Sequence, residues 1–277
     1  MALTVNTNMA ALGAANTLNS TQGSLSQTLS RVSSGLRITK AADDAAGSAV
    51  ATNLSTKARS GAQAIRNAND GISVIATAEA ATKEVVNILD RMRELAVQSS
   101  SETLDDGERT YIDSEYTQLA NEIERIAQAT EFNDIKLAEG TNTALTVQVG
   151  ISGTTASEIA ISLGDLQATA LGVDTGASGV DLSSATSAQS AIGTIDTALD
   201  SVNKIRASYG AVQNRLGSAI NNMTAYTEAL TSAASQIQDA DYAHETAEMT
   251  RLQVMQQAGV AALGQARGMN QSVLSLL

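Results

Sequence analysis

From Ser187 to Gln238 the chain reads SAQSAIGTIDTALDSVNKIRASYGAVQNRLGSAINNMTAYTEALTSAASQIQ. Ile195, Val202, Tyr209, Leu216, Met223, Leu230 and Ile237 stand seven residues apart in it. Ala188, Ile192, Leu199, Ile220 and Ala234 complete an alternating four-three pattern, interrupted by Arg206, Gln213 and Thr227. A straight helix drifts off such a repeat, so a heptad held this long predicts helices packed in a left-handed supercoil. The chain contains no proline to break it. At 1.5 Å per residue the stretch makes a helix on the order of 75 Å long. That is the signature of a rod built for side-by-side packing.

Composition points the same way. Hydrophobic residues make up 43% of the chain and aromatics only 2%, so the core must rest on alanine and aliphatic side chains and be thin and long. The net charge of −12 is concentrated in residues 71–200, which carry 21 acidic and 6 basic side chains; the remainder carries 8 acidic and 11 basic. An acidic middle argues against nucleic-acid binding, which draws its affinity from Lys and Arg. The absence of cysteine removes disulfides, thiolate nucleophiles and thiolate metal sites together. No stretch reaches the ~18 apolar residues of a membrane span, and residues 1–30, which lack any charge, do not read as a Sec-type signal peptide.

Outside the heptad stretch, Ala11, Ala15, Leu18, Leu25, Leu29, Val32 and Leu36 form one helical stripe that ends at Ser34-Gly35. Asp43 or Asp44 can cap a second helix, whose stripe is Val74, Ala78, Ala81, Val85, Ile88, Met92 and Leu95. After polar Ser99–Gly107, a third helix carries Ile112, Tyr116, Leu119, Ile123 and Ile126 and stops near Thr130–Asn133. Helical period is then lost. Leu145–Val149 and Ile159–Leu163 alternate in the manner of a β-hairpin. Past a break at Asp239–Tyr242, with Asp241 a candidate cap, the last helix carries Leu252, Met255, Gly259, Ala262, Ala266, Met269, Val273 and Leu276. Val254, Ala258, Ala261 and Leu263 make it apolar on more than one side, so it must be covered on more than one side.

Catalytic and metal-binding readings fail on their residues. His244-Glu-Thr-Ala-Glu248 has glutamate where a zinc protease needs its second histidine. The pairs Asp43-Asp44 and Asp105-Asp106 each precede an expected helix and read as caps. Met92, Met223, Met255 and Met269 fall on apolar stripes and read as packing. Gly264-Gln-Ala-Arg-Gly268 reads as close helix packing in water. No catalytic residue, cofactor or metal site is expected.

Several runs together resemble one family. Leu29-Ser-Arg-Val-Ser-Ser-Gly-Leu-Arg-Ile38, Ala41-Ala-Asp-Asp-Ala-Ala-Gly47, Arg91-Met-Arg-Glu-Leu-Ala-Val-Gln98 and Thr130-Glu-Phe-Asn133 resemble the amino-terminal region of bacterial flagellins. Asp239–Tyr242, Gln256-Gln-Ala-Gly259 and Val273-Leu-Ser-Leu-Leu277 resemble their carboxyl end. The resemblance implies a mainly α fold, a long antiparallel helical rod with a small β-hairpin region, the chain running out and back. It implies terminal helices at residues 1–42 and 238–277 that line a filament's inner tube, a rod at 43–140 and 186–237, and a hairpin and loop region at 141–185 at the outer end. Leu18, Leu25, Leu29, Val32, Leu36, Leu252, Met255, Ala262, Met269, Val273 and Leu276 are then the subunit interface.

The implied function is a self-polymerising, secreted subunit of the extracellular flagellar filament, not an enzyme. The implied partners are further copies of the chain, the flagellar export apparatus, an export chaperone at the C-terminal segment, and the filament cap and hook-junction proteins. A host Toll-like receptor would read a patch at Arg91, Leu95 and Glu115. Nucleic acid and membrane insertion are not expected. Two other readings are a hook–filament junction protein and a secreted coiled-coil effector. Residues 1–40 and 243–277 are expected to be disordered in the monomer and to become helical on assembly, because two Ala-rich helices bury too little apolar surface by themselves.

Overall fold

The fold is taken from a computed structural model, which describes residues 7–175 and 179–274. Six helices carry most of it: α1 (Met9–Ser34), α2 (Ala45–Ser99), α3 (Asp106–Ala129), α4 (Ala168–Leu171), α5 (Ala185–Gln238) and α6 (Tyr242–Leu274). Two antiparallel strand pairs lie between α3 and α4, β1 (Glu131–Phe132) with β2 (Ile135–Lys136) and β3 (Ala144–Gln148) with β4 (Glu158–Ser162). The chain divides into two compact units, one of residues 1–57 and 228–277 and the other of residues 58–227. Both divisions fall inside a long helix, α2 and α5, whereas residues 42/43 and 237/238 lie close to breaks between helices.

The breaks follow local chemistry. α1 ends where Gly35 takes φ 72°, a left-handed conformation, and returns its N–H to the Arg31 carbonyl. Asp44 Oδ1 accepts from the Gly47 N–H at 2.8 Å at the head of α2. Asp43 instead closes the preceding loop, accepting from the Thr39 N–H, the Thr39 hydroxyl and the Lys40 N–H. Asp105 and Glu108 form a reciprocal capping box on α3, and Asp241 accepts from the N–H groups of Ala243 and His244 at the head of α6.

The middle unit holds two apolar clusters. One joins Leu89, Met92 and Leu95 of α2 to Tyr116 and Ile123 of α3 and Ile195 and Val202 of α5. The other joins Ile75 of α2 and Tyr209 and Leu216 of α5 to Val147, Ile159 and Ile161 of the hairpin. Leu145 pairs with Ile161 and Val147 with Ile159, so one face of the hairpin is apolar and inward, while Thr146 and Ala160 face solvent. The segment after β4 is tied down through its backbone: the Tyr116 hydroxyl donates to the Val173 carbonyl, the Ser99 hydroxyl to the Leu182 carbonyl, and the Leu182 N–H to Asp113 Oδ1.

In α5 the expected second stripe is displaced by one residue. Ile195, Val202, Tyr209 and Leu216 are buried as expected. Their buried companions are Ala191, Ala198 and Val212, with Ile205 and Ala219 half-buried between and beyond them. Ile192, Leu199, Arg206, Gln213 and Ile220 form a half-buried flank. Both series satisfy a heptad, and the polar interruptions at Arg206 and Gln213 belong to the flank, where Gln213 reaches Glu79.

Candidate assembly surface

In the terminal unit α1 and α6, which but for Tyr242 fall within the segments expected to be disordered in the monomer, are helical in the single chain and run antiparallel. Asn8 Nδ2 donates to the Ala266 carbonyl at 2.8 Å, Gln22 meets Gln256, Arg31 lies 3.5 Å from Glu245, and the Tyr242 hydroxyl donates to the Val32 carbonyl. At the elbow the Arg37 N–H donates to the Gln238 carbonyl and the Ala240 N–H to the Gly35 carbonyl. Gly259 of α6 lies so close to Leu18 that a Cβ there would sit 3.3 Å from Leu18 Cδ1.

This pairing covers little apolar surface. In the unit's described residues the only buried hydrophobic side chains are Ile38, Ala51 and Leu252. The buried residues of α1 are Thr21 and Thr28, not its leucines; Leu18, Leu25, Val32 and Leu36 are half-buried and Leu29 is 55% exposed. On α6, Val254 is 59% exposed, Met255 42% and Val260 55%, and Ala262 is exposed. Leu252 is the exception among the expected interface residues: at 4% exposure it is an intramolecular packing residue. Met269 and Val273 continue α6, and Leu276 lies outside the described residues. Gly264 and Gly268 have nothing within 4 Å of a Cβ built on them. Among the described residues no side chain packs against the pair at close range. Met9 and Leu12, exposed at 69% and 56%, were not legible as surface residues, because they fall outside the stripe through Ala11, Ala15 and Leu18.

The second candidate patch lies in the middle unit. Arg91 reaches across from α2 to Glu115 of α3 with two N–H groups at 2.8 and 3.0 Å and also binds Glu94 at 3.0 Å. The hydrogen bond that Arg91 donates to Glu115, then the one it donates to Glu94, holds the guanidinium above its ordinary pKa. Both partners are about half exposed, so solvent screens the pair and it adds little to the stability of the fold. Leu95 is 1% exposed inside the α2–α3–α5 core. It sits on the buried stripe of α2, so the accessible part of the expected triad is Arg91 with Glu115.

Among the described residues no group of three or more His, Cys, Asp or Glu side chains is placed to hold a metal ion, and no helix is long and apolar enough to cross a membrane.

Residues 5–143 match the family model of the bacterial flagellin N-terminal helical region, and residues 192–277 match that of the C-terminal helical region. The chain belongs to the bacterial flagellin family. It is 41% identical over 273 residues to a flagellin of Halalkalibacterium halodurans, with 99% of each chain covered. A flagellin of Bacillus subtilis is 37% identical over 303 aligned positions, again with 99% of each covered. The crystal structure of Bacillus cereus flagellin aligns with a TM-score of 0.49 at 31% identity, covering 57% of this chain and 88% of that one. The chain is thus a structural subunit of the bacterial flagellar filament, of a family that self-assembles into that extracellular filament. The short hairpin and loop segment between the two matched regions marks a form without a large outer domain.

Proposed function

We propose that α1 and α6 are the surfaces through which one subunit holds the next, and that residues 1–42 and 238–277 form the innermost layer of the filament. The observation that carries this reading is the apolar surface left open on both helices, at Met9, Leu12, Leu29, Val254, Met255 and Val260. Side chains this large left in water favour burial against a partner, and identical copies supply the same need. Residues 43–140 and 186–237 form the surrounding rod and residues 141–185 its outer end, a role that suits a segment joined to the helices through both of its ends. The chain works by assembly and not by catalysis. Before assembly, the same open faces of α6 fit an export chaperone, and the export apparatus, the filament cap and the hook-junction proteins are its further partners on the way to a secreted, extracellular position. Seeded growth of the purified protein, followed by electron microscopy, tests the reading. Long filaments of this one subunit are expected; a short cap-like layer that stops growing would instead support a hook–filament junction protein.

A second reading concerns a host Toll-like receptor. Arg91 and Glu115 present a preorganised, exposed ion pair on two adjacent helices, which suits recognition of the monomer by a polar protein surface. Arg91→Ala and Glu115→Ala, tested as folded monomers in a receptor reporter assay, are expected to lower signalling. Undiminished signalling by both removes the patch.

A further inference from the structure

Within the middle unit, α2 buries one side in strict heptad register, at Ala64, Ala68, Gly71, Ile75, Ala78, Thr82, Val85, Leu89, Met92, Ala96 and Ser99. A stripe held in that register against its neighbours keeps the opposite side in register too. That outer line runs through Arg59, Arg66, Ser73, Ala80, Asn87 and Glu94, with Asn69, Ala76, Lys83, Asp90 and Val97 beside it, and all of these residues are exposed. Its character changes along the helix. The early end is cationic at Arg59 and Arg66, the centre is small and neutral at Ser73, Ala76, Thr77 and Ala80, and beyond Lys83 the late end carries the carboxylates Asp90 and Glu94 next to the exposed Val97. Arg66 forms no ion pair among the described residues, and its guanidinium donates to Gln63 Oε1. Glu94 shares one oxygen with Arg91 yet keeps 70% of its side chain exposed.

We infer that this face of α2 docks on the same face of a second copy, antiparallel, in a two-fold contact centred on Ala76–Ala80. Arg66 and Glu94 stand four heptads apart, roughly 42 Å along the helix. A two-fold axis through the centre brings Arg66 of each copy between Asp90 and Glu94 of the other, and both ends of the contact are satisfied by one operation, as isologous pairing requires. The parallel alternative sets Arg66 against Arg66 and Glu94 against Glu94, a like-charge arrangement that costs affinity. The small residues at the centre let two backbones approach toward the ~8–10 Å interaxial distance of packed helices. A single helix pair is a small interface, so the dimer is weak and salt-sensitive. A helical filament that repeats one head-to-tail contact keeps all its subunits in one orientation, so a two-fold contact belongs to free subunits or to neighbouring filaments. It is independent of the assembly surfaces on α1 and α6.

Sedimentation equilibrium of the unseeded full-length protein tests the contact, together with oxidative cross-linking of single-cysteine variants. A concentration-dependent monomer–dimer equilibrium is expected. Arg66→Glu should weaken it at least tenfold, as should half-molar salt, and the charge swap Arg66→Glu with Glu94→Arg should restore it. Mixed Asn69→Cys and Asn87→Cys proteins should cross-link to each other in preference to themselves. A protein that stays monomeric, a dimer indifferent to Arg66→Glu, or like-with-like cross-links would overturn the inference. Seeded filament growth by Arg66→Glu separates such a failure from a failure of assembly itself.

Discussion

Truncating Leu29 to alanine tests whether open apolar surface drives assembly, because its side chain is 55% exposed on α1 in the isolated chain. Complete burial of a leucine is worth about 1.5–3 kcal/mol. The exposed portion therefore holds back about 0.8–1.6 kcal/mol for a neighbouring subunit to release, by the same area proportion. Alanine forfeits most of it. With about 1.4 kcal/mol for each factor of ten, Leu29→Ala should raise the critical concentration for elongation roughly three- to tenfold. The assay is seeded growth at graded subunit concentrations, with the unassembled fraction measured after pelleting and circular dichroism used to verify the helices. Leu252→Ala is the contrasting control. It is 4% exposed, so its loss should appear first as about 2–4 kcal/mol of subunit stability. An unchanged critical concentration for Leu29→Ala, with wild-type protein assembling beside it, would refute the reasoning.

Arg109 is 5% exposed and donates to the carbonyls of Ser99, Ser101 and Leu104; Arg109→Met keeps the stem but strands those acceptors and should cost about 2–4 kcal/mol in chemical unfolding. A loss under 1 kcal/mol would show that water replaces the guanidinium freely. A Cβ on Gly61 would lie 2.4 Å from Thr227 Cγ2 and 3.1 Å from Met223 Sδ, so Gly61→Ala should lower the melting temperature although alanine is the better helix former by ~1 kcal/mol. Thr227→Ser in the same chain should recover much of the loss, and no recovery would place the strain elsewhere. Burial, with Asp174 and Asp113 adding to it, pushes the Tyr116 phenol up, and burial pushes Tyr209 up. A phenol raised in the folded state contributes stability that is fully present below the unfolded tyrosine pKa and lost as pH rises beyond it. Phenolate absorbance should therefore gain its Tyr116 and Tyr209 share only as helicity is lost; ionisation of all 5 tyrosines with the helices intact would contradict the burial.

Local signals were legible because they act over a few residues. Gly35, Asp44, Asp105 and Asp241 each satisfy backbone groups within their own turn, and the alternation at Leu145–Val149 and Ile159–Leu163 marked the hairpin to within a residue at each end. The second stripe of α5 was not legible, since Ala191–Ala198–Ile205–Val212 and Ile192–Leu199–Arg206–Gln213 fit one heptad equally well. Which side turns inward is decided by α2, α3 and the hairpin. The pair β1–β2 was read only as the end of a helix, although Asn133 and Asp134, both at positive φ, make the two-residue turn that asparagine and aspartate favour. Nothing in Asp105-Asp-Gly-Glu-Arg109 distinguishes a buried arginine from a solvated one, because its acceptors are the carbonyls of Ser99 at the end of α2 and of Ser101 and Leu104 in the loop that follows. At the candidate surfaces, sequence supplied the apolar stripes but not their exposure, and the burial of Leu95 and Leu252 emerges only once α3, α5 and α1 are in place.

The pairings that close this fold join early residues to very late ones. Ile75 shares a cluster with Leu216, Arg93 binds Asp196, and Asn8 holds the carbonyl of Ala266. Contacts of such long sequence separation form slowly, since loop entropy must be lost before they return anything. A chain that emerges amino end first therefore cannot complete the cluster of Ile75 and the hairpin until Leu216 follows, and α1 cannot pair with α6 until the final segment arrives. Closure of either unit waits on the last third of the polypeptide, and until then the early helices have only each other to pack against.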